Sequence, residues 1–321
     1  MAVQSKPLLT ELNMSSIPTF VKSSQPKAIA ANLACFGAMA MWAIGFPAAD
    51  VLLQSWDALS LNLVRQVLAV VVLMIFWIAA DGWMSVYNAQ WLKGTIVGGI
   101  GFGIGSTLLL VGQKLSDPVT PAIAAAMMPI AGATLEVIFD GRQLKFKLII
   151  GIILALTGGY LATGANLLNS SFGFGASICL LAVFLFAWGT RSTTQQFKAM
   201  SPIGQTTLTL AGATVITLVV YLGALGLGFK GTKIGDMGSN SVLMILVISL
   251  VSLAFAQLLW IKAAGNLGIL LASFHMNAVP FYVMVVLVIM FNHSWDWVQA
   301  IGAAIVACGV LIAQWPEPKV R

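Results

Sequence analysis

The sequence predicts an all-α integral membrane protein whose ten transmembrane helices form two inverted five-helix repeats. Three observations lead there. The first is composition: of 321 residues, 59% are hydrophobic and 8% are charged. A water-facing surface needs about 25% charge, so this chain suits a lipid surround. The second is length: ten apolar runs each approach the roughly 20 residues that cross a hydrocarbon core. The third is a spacing that occurs twice. Pro129 is followed after 22 residues by Gly151 and after seven more by Gly158; Pro280 is followed at the same intervals by Gly302 and Gly309. A ruler shared by two halves of a membrane protein marks two copies of one structural unit, the duplication from which many membrane carriers are built.

The runs cover residues 28–53, 57–80, 91–113, 118–139, 148–166, 172–190, 203–228, 241–264, 267–291 and 297–315, and the sixth is expected to extend several residues further. Residues 1–27 read as a polar, Ser-rich cytoplasmic tail, 28–168 as the first repeat and 169–318 as the second. The first run is too long for the apolar core of a cleavable signal and is read as a retained span. Short connections make consecutive helices antiparallel neighbours. Gly and Pro inside the runs are no objection, because lipid-embedded helices tolerate both.

Basic residues set the orientation. With the N-terminus in the cytoplasm, twelve fall inside: Lys6, Lys22, Lys27, Lys93, Arg142, Lys145, Lys147, Arg191, Lys198, Lys262, Lys319 and Arg321. Three fall outside: Lys114, Lys230 and Lys233. This positive-inside bias puts both termini in the cytoplasm, with a bacterial inner membrane as the expected location. Five helices per half is an odd number, so the second half enters the membrane upside down relative to the first. A binding site is then expected near mid-membrane between the halves. The net charge of +6 reflects these loop residues and gives no nucleic-acid footprint. Cys35, Cys179 and Cys308 each sit in an apolar run, which argues for packing over disulfides or metal. No cofactor is expected.

The ordered motifs resemble the EamA-type members of the drug/metabolite transporter superfamily over roughly residues 28–315. Met41-Trp42-Ala43-Ile44-Gly45-Phe46-Pro47 is similar to the Trp-Gly-x-x-Phe-Pro stretch of the family's first helix. Arg65 matches an arginine early in the second helix, Pro129 and Pro280 the prolines of the fourth and ninth, and Trp188 the tryptophan opening the second repeat. Ile150-Gly151 with Gly158, and Ile301-Gly302 with Gly309, match the glycine-rich fifth and tenth helices. The family's Gly-Glu before those helices is missing: Arg142 and His293 stand near those positions. The resemblance implies a cavity bordered by helices one, three, four, six, eight and nine.

Within that frame, Arg65 is the most telling charge. It lies about 12 Å into the second run at 1.5 Å per residue, where an unpaired charge costs about 3 kcal/mol or more. Two readings stand: a substrate-carboxylate or gating partner, or a structural pair with Asp50 at the end of the preceding run. Glu136 is either a proton-coupling acid or an interfacial partner of Arg142 or Lys145. His275 and Asn277 precede Pro280, where proline removes a helix hydrogen bond and loosens the turn. They either face a cavity or pack; His275 would titrate near neutral pH if unperturbed.

Trp42, Trp188, Trp260, Phe274 and Tyr282 are candidate aromatic walls or interface residues, with Trp42 and Trp260 favoured for the cavity and Gln257 about a turn from Trp260. The stretch Gly98–Thr107 is glycine-rich but lacks the lysine and the strand context of a phosphate loop. It reads as a close-packing stripe, with Ser106 and Thr107 offering hydroxyls to the cavity.

The resemblance implies a secondary transporter that moves a small organic metabolite, an amino acid or similar zwitterion, with export the expected direction. Its expected partners are that solute and membrane lipid. It would not be an enzyme. The alternative is an integral-membrane enzyme acting on a lipid-soluble substrate, but two histidines and no paired acids supply little of the chemistry such an enzyme needs.

Overall fold

The computed structural model describes residues 25–141, 146–162 and 170–314. Among these the regular structure is entirely helical. The first helix, α1, runs Gln25–Leu53 and contains Pro47. Helix α2 covers Ala58–Asp81, and a short α3, Trp83–Tyr87, follows Gly82, whose φ of 78° turns the chain. Trp83, Met84 and Tyr87 are exposed, as suits a segment lying at a membrane interface.

The third rod is α4 (Trp91–Gly98), a π-helical stretch at Gly99–Ile104, and α5 (Gly105–Lys114). The fourth is broken into α6 (Thr120–Ala126) and α7 (Met128–Asp140), bent by 43°. Helix α8, Phe146–Ala162, ends the first half.

The second half begins with α9 (Ser170–Gln196) and α10 (Pro202–Gly226). Ser201 caps α10, its Oγ accepting from the N–H of Gly204 at 3.2 Å, and Pro202 takes the first helical position, where a missing N–H costs nothing. The eighth rod is α11 (Ser239–Leu246), a π-helical stretch at Val247–Phe255 and α12 (Ala256–Leu267). The ninth is α13 (Ile269–Ser273), a 3₁₀ turn at Phe274–Ala278 and α14 (Val279–Phe291). Helix α15 spans Trp297–Gln314.

Seven of these rods are long and apolar enough to cross a membrane, or eight if the bent α6–α7 pair is one span. The all-helical, two-half architecture is as expected, while the described residues establish seven or eight spans rather than the full ten. Helix α8 has 17 residues and the apolar part of α15, Trp297–Gly309, is shorter still.

Equivalent places in the two halves carry equivalent irregularities. The π stretches fall in the third rod of each half. The breaks before Pro129 and Pro280 fall in the fourth, where proline deprives the preceding turn of a hydrogen bond. Packing follows the same exchange. Helix α1 lies on α12 and α14, and α9 lies on α5 and the α6–α7 pair. Helix α2 lies on α10, and α8 lies on α15.

Small residues permit the closest crossings. A Cβ on Gly101 would lie 2.5 Å from the Cα of Gly189, and one on Gly158 would lie 2.7 Å from the carbonyl oxygen of Gly302. This accounts for the glycine-rich stretch in the third rod and for two positions of the duplicated ruler, Gly158 and Gly302. Outward-facing Ile75, Ile153, Val219 and Ile289 are exposed, as lipid-facing side chains should be.

Candidate functional site

An interior cavity lies between the halves. From the first half it is lined by Trp42 of α1, Arg65 of α2 and Met128 of α7; from the second by Phe186 and Thr190 of α9 and by Gln257 and Trp260 of α12. Helical spacing explains these sets. Positions 186 and 190 share a face of α9, as 257 and 260 share one of α12. Helix α1 is steadied beside the cavity where Pro47 interrupts its hydrogen bonding. Ser252 Oγ donates to the carbonyl of Trp42 at 3.2 Å, and Gln113 Nε2 to that of Phe46 at 2.7 Å.

Aromatic rings form one wall. Trp42 meets Phe186 at 6.4 Å between ring centroids and 68° between planes, and Phe186 meets Phe102 at 5.9 Å. Trp260 is buried, and its Nε1 donates to Thr190 Oγ1 at 3.2 Å. Gln257 Nε2 is buried without a hydrogen-bond partner.

Arg65 supplies the charge. It is 8% exposed, and its Nε donates to Asn62 Oδ1 at 2.9 Å. The expected pair with Asp50 is not formed: the one ion pair among the described residues is Lys114–Asp57. The side chain of Arg65 instead runs back along its own helix to Asn62. Asn62 Oδ1 also accepts from Ser106 Oγ at 3.0 Å, and its Nδ2 donates to Thr107 Oγ1 at 2.8 Å. Gln66 Nε2 completes the network by donating to Ser106 Oγ at 3.0 Å.

The structure thus brings Trp42, Arg65, Gln257 and Trp260 together on one cavity. Ser106 and Thr107 stand behind Arg65 in the polar network, outside the cavity lining. His275, Asn277 and Tyr282 also stand outside it; the 3₁₀ turn presents Met276 to the cavity instead. The imidazole of His275 lies 3.2 Å from the carbonyl of Ala272 and edge-on to Phe36 at 4.8 Å. Glu136 belongs to α7, and its side chain lies outside the described residues. Asp50 sits near the end of α1, half-buried. Asn62, Phe186 and Thr190 are additions that the sequence reading lacks. A signal for Asn62 is present all the same: with Arg65 and Gln66 it makes a polar stripe at i, i+3 and i+4 in an otherwise apolar run.

A second contact ties the halves where α1 ends. Lys114 Nζ sits 2.7 Å from Asp57 Oδ1. The N–H of Lys233 donates to Asp57 Oδ2 at 3.0 Å, Ser60 Oγ to the carbonyl of Lys233 at 2.6 Å, and Trp56 Nε1 to that of Asp236 at 3.1 Å. Partial burial alone would raise the Asp57 carboxyl. The hydrogen bonds from Lys114 and Lys233, with their charges, outweigh it and hold the carboxyl below its ordinary value.

Fold and cavity together define a polytopic helical membrane protein with an interior site shared by two halves. The EamA-like transporter family model matches residues 29–164 and again 173–314, so the chain belongs to that transporter family. Among solved structures, one described only as the crystal structure of a protein has a TM-score of 0.65 at 15% identity, covering 89% of this chain and 98% of its own. That likeness concerns the fold alone. Comparison with curated protein sequences gives no match.

Proposed function

We propose that the protein is a secondary transporter of a small organic metabolite, an amino acid or similar zwitterion. It works by alternating access between two inverted repeats, residues 28–168 and 169–318, with both termini cytoplasmic. The observation that carries this reading is the cavity, which draws Trp42 and Arg65 from one half and Phe186, Thr190 and Trp260 from the other. A site on the seam of two repeats is where rocking one against the other changes its exposure.

Three further features support it. The exchange of packing partners between halves suits a two-fold axis in the membrane plane. The paired π stretches and paired proline breaks supply hinges in rods that border the cavity, as such irregularities commonly do. The mix of one cation, aromatic faces and few other polar groups suits a small amphipathic solute. The outward direction follows from the family resemblance. The test is counterflow: purified protein in liposomes preloaded with unlabelled amino acid should accumulate the labelled form. Liposomes that accumulate none of a panel of amino acids would contradict the assignment.

A further inference from the structure

We propose that Arg65 is the carboxylate anchor of this cavity, with the Gln257 amide as a second donor and the Trp42, Phe186 and Trp260 rings holding the apolar remainder of the solute. The proposal rests on the cavity being the transport site. It begins with an imbalance of charge. Arg65 is more than nine-tenths buried and stays charged at any physiological pH. Among the described residues no carboxylate lines the cavity or pairs with the guanidinium. A buried charge without a counter-ion is costly, and an anion entering the cavity relieves that cost.

The geometry favours a carboxylate. Asn62 engages Nε and fixes the plane of the guanidinium. The four Nη–H donors have no partner among the described residues, and they are the fork that matches a carboxylate in bidentate fashion. Gln257 Nε2 is a second donor on the same cavity, buried and unpartnered. One positive charge balances one negative charge; a phosphate dianion would leave a charge uncompensated among largely apolar walls. The ammonium of a zwitterion finds no described acid, and the Trp42 face is the group present that attracts it. The carboxylate therefore supplies the larger share of recognition.

The test is a binding series on purified full-length protein in detergent, read by calorimetry. The probes are L-phenylalanine, its amide, and 3-phenylpropionate, which lacks the amine. The wild type should bind the two carboxylates and lose about tenfold or more for the amide, as for a missing charge-assisted pair. Arg65→Gln should weaken carboxylate binding by a similar factor and bring the acid-to-amide ratio close to one. Asn62→Asp places a carboxylate at the Oδ1 position beside Arg65; it should give the same loss, and it decides the matter if Arg65→Gln does not fold. A wild type that binds acid and amide alike overturns the anchor but leaves the cavity as the site. An acid-to-amide ratio unchanged in a folded Arg65 or Asn62 variant does the same. A wild type that binds none of the three overturns the anchor as stated, and the counterflow panel then decides separately whether the amino-acid reading stands.

Discussion

The Nε of Arg65 donates to Oδ1 of Asn62 at 2.9 Å, one turn earlier on α2. Asn62 therefore takes the place that a carboxylate was expected to fill, without cancelling the charge of the arginine. It also joins Arg65 to Ser106 and Thr107 on α5, so the charge is positioned by two helices of the first half. Asn62→Leu should leave the Arg65 Nε without its acceptor and Thr107 Oγ1 without the Asn62 donor, while Ser106 keeps Gln66 and the Gly103 carbonyl. Each such buried loss costs about 1–3 kcal/mol, so the melting temperature should drop by several degrees while Ser106→Ala alone should cost less. Equal melting of wild type and Asn62→Leu would show that the network holds nothing.

The crossing of the third and sixth rods depends on paired glycines. A methyl on Gly101 meets the Cα of Gly189 at 2.5 Å, whereas one on Gly223 of α10 meets nothing within 4 Å. Gly101→Val should therefore cost at least the roughly 1–3 kcal/mol of an overpacked core. It should appear as loss of monodisperse protein in size-exclusion chromatography. Gly223→Val should elute as the wild type does.

Asp57 gives a pH dependence with a definite sign. Its folded value lies below the ordinary 3.8, so its contribution is fully present above that value and is lost as pH falls through the lower folded value. The pair with Lys114 is partly exposed, which limits it to about 1 kcal/mol or less. Thermal melts of wild type and Asp57→Asn should differ slightly at pH 7 and converge only as pH falls through the lowered folded value of the carboxyl. A difference that grows toward acid would contradict this sign.

His275 packs edge-on to Phe36, off the cavity lining. His275→Asn should change the rate of transport without moving its pH profile. A profile displaced by this one substitution would make the imidazole a proton carrier.

Much of the fold is legible in the sequence, because each apolar rod is specified locally. The observed α1, α2 and α10 lie within a few residues of the runs read from hydropathy. The breaks before Pro129 and Pro280 follow from one residue's missing N–H. The site is legible only in part. Trp42, Gln257 and Trp260 can be placed near mid-span, but which face of a helix meets the cavity depends on how neighbouring helices are rotated. That rotation puts Met276 rather than His275 or Asn277 on the cavity, and turns Ser106 and Thr107 to Asn62. Arg65 is recognisable from the sequence as a costly charge. Its partner is not, because a short connection between helices suggests Asp50, whereas a residue one turn away on the same helix is closer.

Alternating access requires that one cavity between the halves face each side of the membrane in turn. Val183 lines that cavity and is 3% exposed. Cys35 and Cys179 are buried, while Cys308 is exposed, so Val183→Cys in a Cys308→Ser background leaves one cysteine on the cavity. The decisive measurement is its reaction with a membrane-impermeant thiol reagent in sealed vesicles of each orientation. A rocking mechanism gives labelling from both sides and protection by a transported amino acid. Labelling from one side only, unaffected by solute, would contradict it.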